Sequence, residues 1–323
     1  MPTKTFTNRE NYLNILAATH NNELIGVMEV INEVNPIVED APVTQATDMV
    51  SHRGARRTAL PQPIWVKIGN GWTTGFARQQ PFTEGLGTLK LREQINKDLL
   101  RIQPDPEGYV TQQERAFQEG FAQEVANTLF YGSSITAPEE FDGLHVRYGS
   151  IVADSVYNNG ETTGNVTSAW LIQWYPGECA LLRPRFDPAV GLTREPMPDQ
   201  LLAGDDANLA WFKVVEWAWN IGLLVGDGRR VKRVCNINPD WNDAQCLSSS
   251  VLIEAMNDFK DKNTPIVMYC PTSVVTTLDI DANLKGNVTW SSDNVWGVPT
   301  RYFRGMPVRV CDAILETESV LTS

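Results

Sequence analysis

Apolar residues recur every fourth position in one stretch of the chain: Phe117, Phe121, Val125 and Leu129 stand one turn apart, with Ala122 and Ala126 on the same face. The spacing predicts an amphipathic helix with one buried side. Thr111 followed by Glu114 has capping-box spacing and Gly132 is a stop signal, so the helix is expected over Thr111 to Tyr131. Further on the pattern changes. "SAWLIQWY" reads as a buried strand and "LAWFKVVEWAWNIGLLV" (Leu209 to Val225) as a long one, which "GDG" turns back into the alternating "RRVKRVCNI". "SSSVLIEAMNDFKD" then reads as a capped helix, "PIVMYC" as a strand, "TSVVTTLDIDANL" as a helix and "MPVRVCDAIL" as a final strand. Strands and helices in this order, without regular βαβ alternation, predict an α+β fold.

The first hundred residues lack such periodicity. Residues 1–48 read as an arm: a short helix at Asn11 to Thr19, then an irregular or extended stretch containing Pro36 and Pro42. Ile64 to Ile68 followed by "GNG" reads as a strand reaching a turn, with a second extended segment returning. The result is a long hairpin with few apolar residues of its own, expected to project and to pack elsewhere. "NNGETTGN" (Asn158 to Asn165) reads as a flexible loop.

Charge sharpens this division. The net charge is -12, yet residues 21–48 hold Glu23, Glu29, Glu33, Glu39, Asp40 and Asp48 with no Lys or Arg, whereas residues 50–101 carry nine basic residues against three acids. An acidic arm precedes a basic hairpin. The 323 residues, 42% hydrophobic and 20% charged, suit one elaborated domain or two modest ones. No stretch approaches the ~18 apolar residues of a membrane span, and the N-terminus has no signal-like apolar run, so neither insertion nor secretion is expected. The "NVT" sequons at Asn165 and Asn287 therefore have no route to glycosylation.

Candidate chemistry is sparse. Five cysteines (Cys179, Cys235, Cys246, Cys270, Cys311) lie far apart and read as reduced and mostly buried; His20, His52 and His145 read as surface or loop residues. P-loop, dinucleotide-binding, nucleophile-elbow and zinc-protease motifs are all missing. "DIDAN" (Asp279, Asp281, Asn283) begins like a calcium loop, but Leu284 and Trp290 replace its glycine and its glutamate, which leaves a solvated helix face. The best catalytic cluster is His145 with Glu139, Glu140 and Asp142, and no nucleophile accompanies it. "RRVKR" (Arg229 to Arg233) with Trp65 and Trp72 raises a single-stranded nucleic-acid binder, and the ten tryptophans a sugar binder. The acidic total argues instead that these charges meet protein.

The order of acidic arm, basic hairpin, long helix and mixed sheet resembles the tailed-phage major capsid proteins of the Hong Kong 97-type fold. Three phrases carry the resemblance: "NTLFYGSSITAPEEFDGLHVRY" (Asn127 to Tyr148), "SAWLIQWYPGECALLRPRFDPAVGLTRE" (Ser168 to Glu195) and "FRGMPVRVCDAILETES" (Phe303 to Ser319). It implies an N-terminal arm (1–48), an extended E-loop (49–101), a peripheral domain with a long spine helix (102–165), an axial domain (166–290) and a return to the peripheral domain (291–323). It implies a non-enzymatic protein that assembles into hexamers and pentamers of an icosahedral shell around double-stranded DNA, rather than a binding module or a decoration or tail protein. No catalytic, cofactor or metal residue is implied. Partners would be other copies of itself, a separate scaffolding protein, the portal and a decoration protein, with packaged DNA touched non-specifically and assembly in the host cytoplasm. Arg53, Arg56, Arg57 and Arg78 are expected to meet acidic arm or spine residues, including Glu119 and Glu124, across subunit boundaries. Lys67 sits where some members form an isopeptide cross-link, with Asn287 or Asn294 as acceptor; no motif supports either acceptor, and no bond is expected.

Overall fold

A computed structural model describes residues 19–20, 23–24, 35–186, 191–203, 209–285, 290–295 and 298–322. Along the chain run β1 (Thr19–His20), β2 (Glu23–Leu24), α1 (Ile37–Asp40), β3 (Val43–Gln45), β4 (Ser51–Ala59), β5 (Arg78–Asn96), α2 (Lys97–Ile102), α3 (Pro106–Tyr131) and α4 (Leu144–Arg147). There follow β6 (Val156–Asn158), β7 (Thr167–Ile172), β8 (Cys179–Arg183), β9 (Thr193–Ala203), β10 (Leu209–Val225) and β11 (Val231–Ile237). The last elements are α5 (Ser249–Asn257), β12 (Val267–Cys270), α6 (Thr272–Lys285), β13 (Trp290–Val295), β14 (Val298–Phe303) and β15 (Met306–Val310). The helix expected at Asn11 to Thr19 lies outside the described residues.

The chain divides into two compact units. The smaller holds residues 88–125 and the described parts of 1–33 and 188–221. Its core joins Phe117 and Phe121 of α3 to Leu89, Leu192, Val215, Trp217 and Trp219, with the Phe117 and Trp217 rings stacked 6.5 Å apart. The four-residue periodicity read from the sequence therefore selects the right face. The helix start was misplaced, however. Asp105 accepts from Gly108 N at 3.0 Å, Pro106 occupies the first helical position, and Thr111 lies inside the helix, its hydroxyl donating to Glu107 O. A proline costs nothing at a position whose N–H has no helical partner, so the Asp-Pro pair outranks the Thr-Glu spacing. In the same unit β9 runs antiparallel to β10, and Arg194 pairs with Glu114, Arg92 with Glu216 and Lys97 with Asp199.

The larger unit holds residues 35–87, 126–186 and 222–322 among those described. At its centre is a seven-stranded sheet in the order β13-β14-β15-β12-β7-β11-β6. Ala169, Leu171, Val234, Ile237, Met268, Cys270 and Val308 face Leu252, Ala255 and Phe259 of the α5 region and Val274, Val275 and Leu278 of α6. Each large side chain so enclosed contributes roughly 1.5–3 kcal/mol relative to exposure. The alternate residues Ser168, Trp170, Arg233 and Tyr269 point to the other face and are just as buried. Val231–Ile237 was expected to alternate as the return strand of a β10 hairpin. Instead a 3-10 turn (Gly228–Arg230) separates the two strands, β11 pairs with β6 and β7, and all seven of its residues are buried. The remaining strands of the unit form a second group: β3 lies parallel to β8, β8 antiparallel to the end of β10, and β4 antiparallel to β5.

Gly132 ends α3 because nothing larger fits. A Cβ there would lie 2.6 Å from Phe141 O and from Thr128 O, and the returning chain closes on it through Gly143 N donating to Gly132 O at 2.8 Å. The segment "NNGETTGN", expected to be flexible, is organised about Glu161, whose carboxylate accepts from Thr162 N, Thr163 N and Asn238 Nδ2.

Candidate subunit-contact surfaces

Basic residues and aromatic anchors share the stem of the hairpin. Its strands pair from Ser51↔Gly85 to Ala59↔Arg78, which sets Gly54 opposite Phe82. The ring lies over the glycine so closely that a Cβ on Gly54 would come 2.4 Å from Phe82 Cζ, and the Arg56 guanidinium stands 5.0 Å from the ring centroid. At the root Phe82 and Leu86 pack against Ala46, Leu182 and Leu224. Beside them the buried Glu84 carboxylate receives both ends of the Arg147 fork, at 2.8 and 2.6 Å, while Arg147 Nε donates to Asp142 O at 3.0 Å. A bidentate pair fixes direction as well as distance. The root is therefore rigid.

The tip is built differently. No strand covers Ile64–Ile68; between Ala59 and Arg78 the chain has no regular structure beyond a turn in which Asn70 N donates to Lys67 O at 3.1 Å. Pro61 and Pro63 supply no backbone donors, so the ladder cannot extend past Ala59. Nor is the hairpin poor in apolar residues. Trp65 and Ile68 are fully exposed, and Leu60, Ile64, Trp72 and Phe76 are mostly so. These side chains lack a core within their own segment. A concentration of exposed large apolar residues on one projecting loop marks a contact surface.

Arg53, Arg56, Arg57 and Arg78 are all exposed, and none forms an ion pair among the described residues. Lys67 is exposed as well; Asn287 lies outside the described residues, as does the side chain of Asn294. In the smaller unit, Glu119 is half-buried and accepts from Gln123 Nε2, and Glu124 is exposed. An open groove of about 610 Å³ runs beside the hairpin root, lined by His52, Arg56, Arg57, Phe82, Glu178 and Asp227 among others. Its two acids are already engaged. Asp227 receives Arg229 at 2.7 Å, hydrogen bonds that hold its carboxyl below the usual range, and Glu178 pairs with Arg230. The charge left to the groove is that of Arg56 and Arg57.

Behind the hairpin root lies a buried polar cluster. Arg233, completely enclosed, donates from Nε to Ser168 Oγ at 3.0 Å, from Nη1 to Tyr148 O at 2.9 Å, and from Nη2 to Glu318 Oε2 at 2.9 Å and His145 Nδ1 at 3.1 Å. Glu318 also accepts from Ser168 Oγ and from Tyr131 OH, each at 2.5 Å. His145 must offer a lone pair to Arg233, so it is neutral. Burial lowers its pKa, the adjacent guanidinium lowers it further, and Glu318 opposes both. Burial and then Glu318 likewise push the Tyr131 phenol far up. The cluster of His145 with Glu139, Glu140 and Asp142 does not converge on a reactive centre. Asp142 accepts from Ser134 N and Oγ, Glu140 from Ser133 N, and His145 faces Arg233, buried more deeply than a surface residue.

Sequence reasoning missed these residues because "RRVKR" reads as surface charge. Lys232 and Arg233 are both buried, Lys232 against Asp258 and Arg233 against Glu318. The available signal was their position just before "VCNI", within a run that reads as a strand, where a buried charge survives only if paired. The "DIDAN" segment falls within α6, and Asp279 pairs there with Arg301 at 3.4 Å.

Among the described residues no helix is long and apolar enough to cross a membrane. A chain from a solved structure of bacteriophage Epsilon15 is similar along nearly its whole length, with a TM-score of 0.74, 23% identity and 98% of each chain covered. The bacteriophage JBD30 capsid (TM-score 0.49, 10% identity, 88% of this chain and 93% of that one) and the SrpI encapsulin of Synechococcus elongatus (0.46, 10%, 71% and 96%) superpose only loosely. No curated protein matches the chain. The likeness to the Epsilon15 chain fixes the fold, and the Hong Kong 97-type α+β architecture implied by the sequence resemblance stands. The family model for the major capsid protein GP7 matches residues 19–322, so the chain belongs to that family: it is a structural, shell-forming protein of a tailed phage and not an enzyme.

Proposed function

We propose that the chain forms hexamers and pentamers of an icosahedral shell enclosing double-stranded DNA, and that each subunit buries its hairpin tip on a neighbour. One observation carries this reading: six large apolar side chains exposed on a loop whose root is rigid. Magnitudes decide which contact dominates. Burying a Trp or Ile is worth roughly 1.5–3 kcal/mol, whereas an exposed ion pair is worth about 0–1 kcal/mol. The tip supplies affinity; Arg53, Arg56, Arg57 and Arg78 supply direction by meeting the acidic arm or spine residues such as Glu119 and Glu124 of another copy. Residues 1–48 act as the arm and 49–101 as the E-loop, 102–165 and 291–323 belong to the peripheral domain, and 166–290 to the axial domain. A separate scaffolding protein, a portal and a decoration protein complete the particle, which assembles in the host cytoplasm and touches packaged DNA without sequence preference. Lys67 takes no part in a covalent bond.

Co-expression with a candidate scaffolding protein, followed by electron microscopy, tests the reading. Closed shells or capsomer rings are expected, and shell yield should fall for the paired charge reversal Arg56→Glu and Arg57→Glu. A persistent monomer overturns the assembly reading; normal yield from the reversed variant overturns only the role of the arginines.

A further inference from the structure

The four-residue helix α4 touches two structures that are far apart in sequence. On one side Arg147 holds Glu84 at the hairpin root through two hydrogen bonds. On the other, His145 Nδ1 and the carbonyl of Tyr148, the residue just past the helix, both accept from Arg233. Arg233 in turn holds Glu318, the centre of a C-terminal strap. The strap is stitched to the sheet at several points. Val166 and Glu318 exchange two backbone hydrogen bonds, Leu315 N donates to Tyr131 OH, Thr167 Oγ1 donates to Leu315 O, and Asn236 exchanges two with the Leu321 backbone. Asn236 can do so because it sits at the irregularity in β11 with φ +55°, a conformation asparagine tolerates.

We propose that α4 is a coupling element: seating of the C-terminal strap through Glu318 and Arg233 fixes α4, and α4 fixes the root of the hairpin through Arg147. The physical basis is that both arginines are gripped at fixed geometry and share a helix of one turn. Arg233 cannot shift without releasing His145 and the Tyr148 carbonyl, and α4 cannot shift without opening the fork on Glu84. Glu318 pairs with the enclosed Arg233 at 2.9 Å, and a proton on His145 would remove the lone pair that Arg233 uses and place a second cation 3.1 Å away. The charged or titratable groups facing His145 are Arg233 from β11, Glu318 from the strap and Tyr131 from α3. A disturbance at either end should thus be felt at the other, as linkage requires. The inference concerns a single subunit and does not rest on the assembly reading.

Amide hydrogen exchange on the full unassembled chain tests it, comparing wild type with Glu84→Gln, Glu318→Gln and Asn236→Ala. The first opens the hairpin latch, the second the strap latch, and the third loosens the strap at Leu321 without touching α4. Glu84→Gln should raise exchange on the order of tenfold in β4 and also in the strap amides of Leu315 and Glu318; Glu318→Gln should do the same in reverse. Asn236→Ala should raise exchange only near Leu321. Purely local responses to both Gln variants overturn the proposal, as does a hairpin that loosens equally in Asn236→Ala, which signals general destabilisation. Should Glu318→Gln fail to fold, His145→Gln takes its place, with the same two-ended response expected.

Discussion

Replacing Trp65 and Trp72 of the hairpin tip with serine separates assembly from folding. Trp65 is 105% exposed and Trp72 80%, so neither contributes packing to its own subunit. A tryptophan buries roughly 150–250 Å² when covered, which at about 25 cal/mol per Å² sets an upper bound near 4–6 kcal/mol per residue. Truncating such an anchor in a protein interface typically costs about 2–4 kcal/mol, because part of the gross gain is spent on ordering the loop. Taking about 2–3 kcal/mol per residue, each single substitution should raise the concentration at which shells appear by about 30- to 150-fold. The assay is light scattering against protein concentration, with electron microscopy to confirm what scatters. The unassembled variants should melt within ~0.5 kcal/mol of wild type, as exposed substitutions do. An unchanged assembly threshold refutes the assignment of the tip as the contact surface. A clear loss of monomer stability refutes it in another way, by showing that the tip packs at home.

Three further outcomes follow from individual contacts. Arg233→Met should lower stability by about 3–5 kcal/mol in a denaturant titration, because Glu318 is left buried without its countercharge, and the double variant with Glu318→Leu should recover part of the loss. Glu93 is buried with Oε2 on Trp217 Nε1 at 3.2 Å, and burial raises its pKa above the ordinary 4.5 against the opposing effect of that hydrogen bond. Its stabilising contribution is thus present below 4.5 and lost as pH rises through the higher folded value, so the stability of Glu93→Gln relative to wild type should grow with pH; a constant difference between pH 4 and 7 contradicts this. Gly54→Val should displace the Phe82 ring, cost about 1–3 kcal/mol and speed protease cleavage within the hairpin stem, while Gly85→Ala, with open space around its Cβ, should not.

Helical periodicity was the most legible feature of the sequence, because a buried stripe at Phe117, Phe121, Val125 and Leu129 has few other interpretations. The strands at Thr167–Ile172, Leu209–Val225 and Val267–Cys270 were equally readable, being rich in aromatic and branched apolar residues. What failed was context. Thr111 and Asp105 both carry capping signals, and only Pro106 decides between them. The charges of Lys232 and Arg233 look the same on a surface as in a buried strand, since sequence shows the charge and conceals its partner, here Asp258 and Glu318. Ile64–Ile68 has strand composition, yet a strand needs a partner able to hydrogen-bond, and Pro61 and Pro63 just before it end the ladder. As for the proposed contact surface, its basic residues are visible as a run of charge. The apolar tip is not, because Leu60 to Phe76 are spaced by glycine, proline and threonine without any period that distinguishes exposed from buried.

The hairpin combines two requirements that conflict in a single subunit. On the proposed reading its apolar tip stays uncovered until a neighbour arrives, but an uncovered apolar loop that also moves freely would lose much of its binding energy to ordering. The root resolves the conflict by placing order where there is no exposed apolar surface. Glu84 and Arg147 fix the direction, Phe82 closes on Gly54, and Leu86 is anchored beside Leu182 and Leu224. Stiffness at the root lowers the entropy lost at the tip without giving the tip any contact of its own. Replacing both partners of a buried ion pair with apolar groups is often neutral in stability, so on the proposed coupling the Glu84–Arg147 and Arg233–Glu318 pairs should matter more for the direction of the hairpin than for net stability.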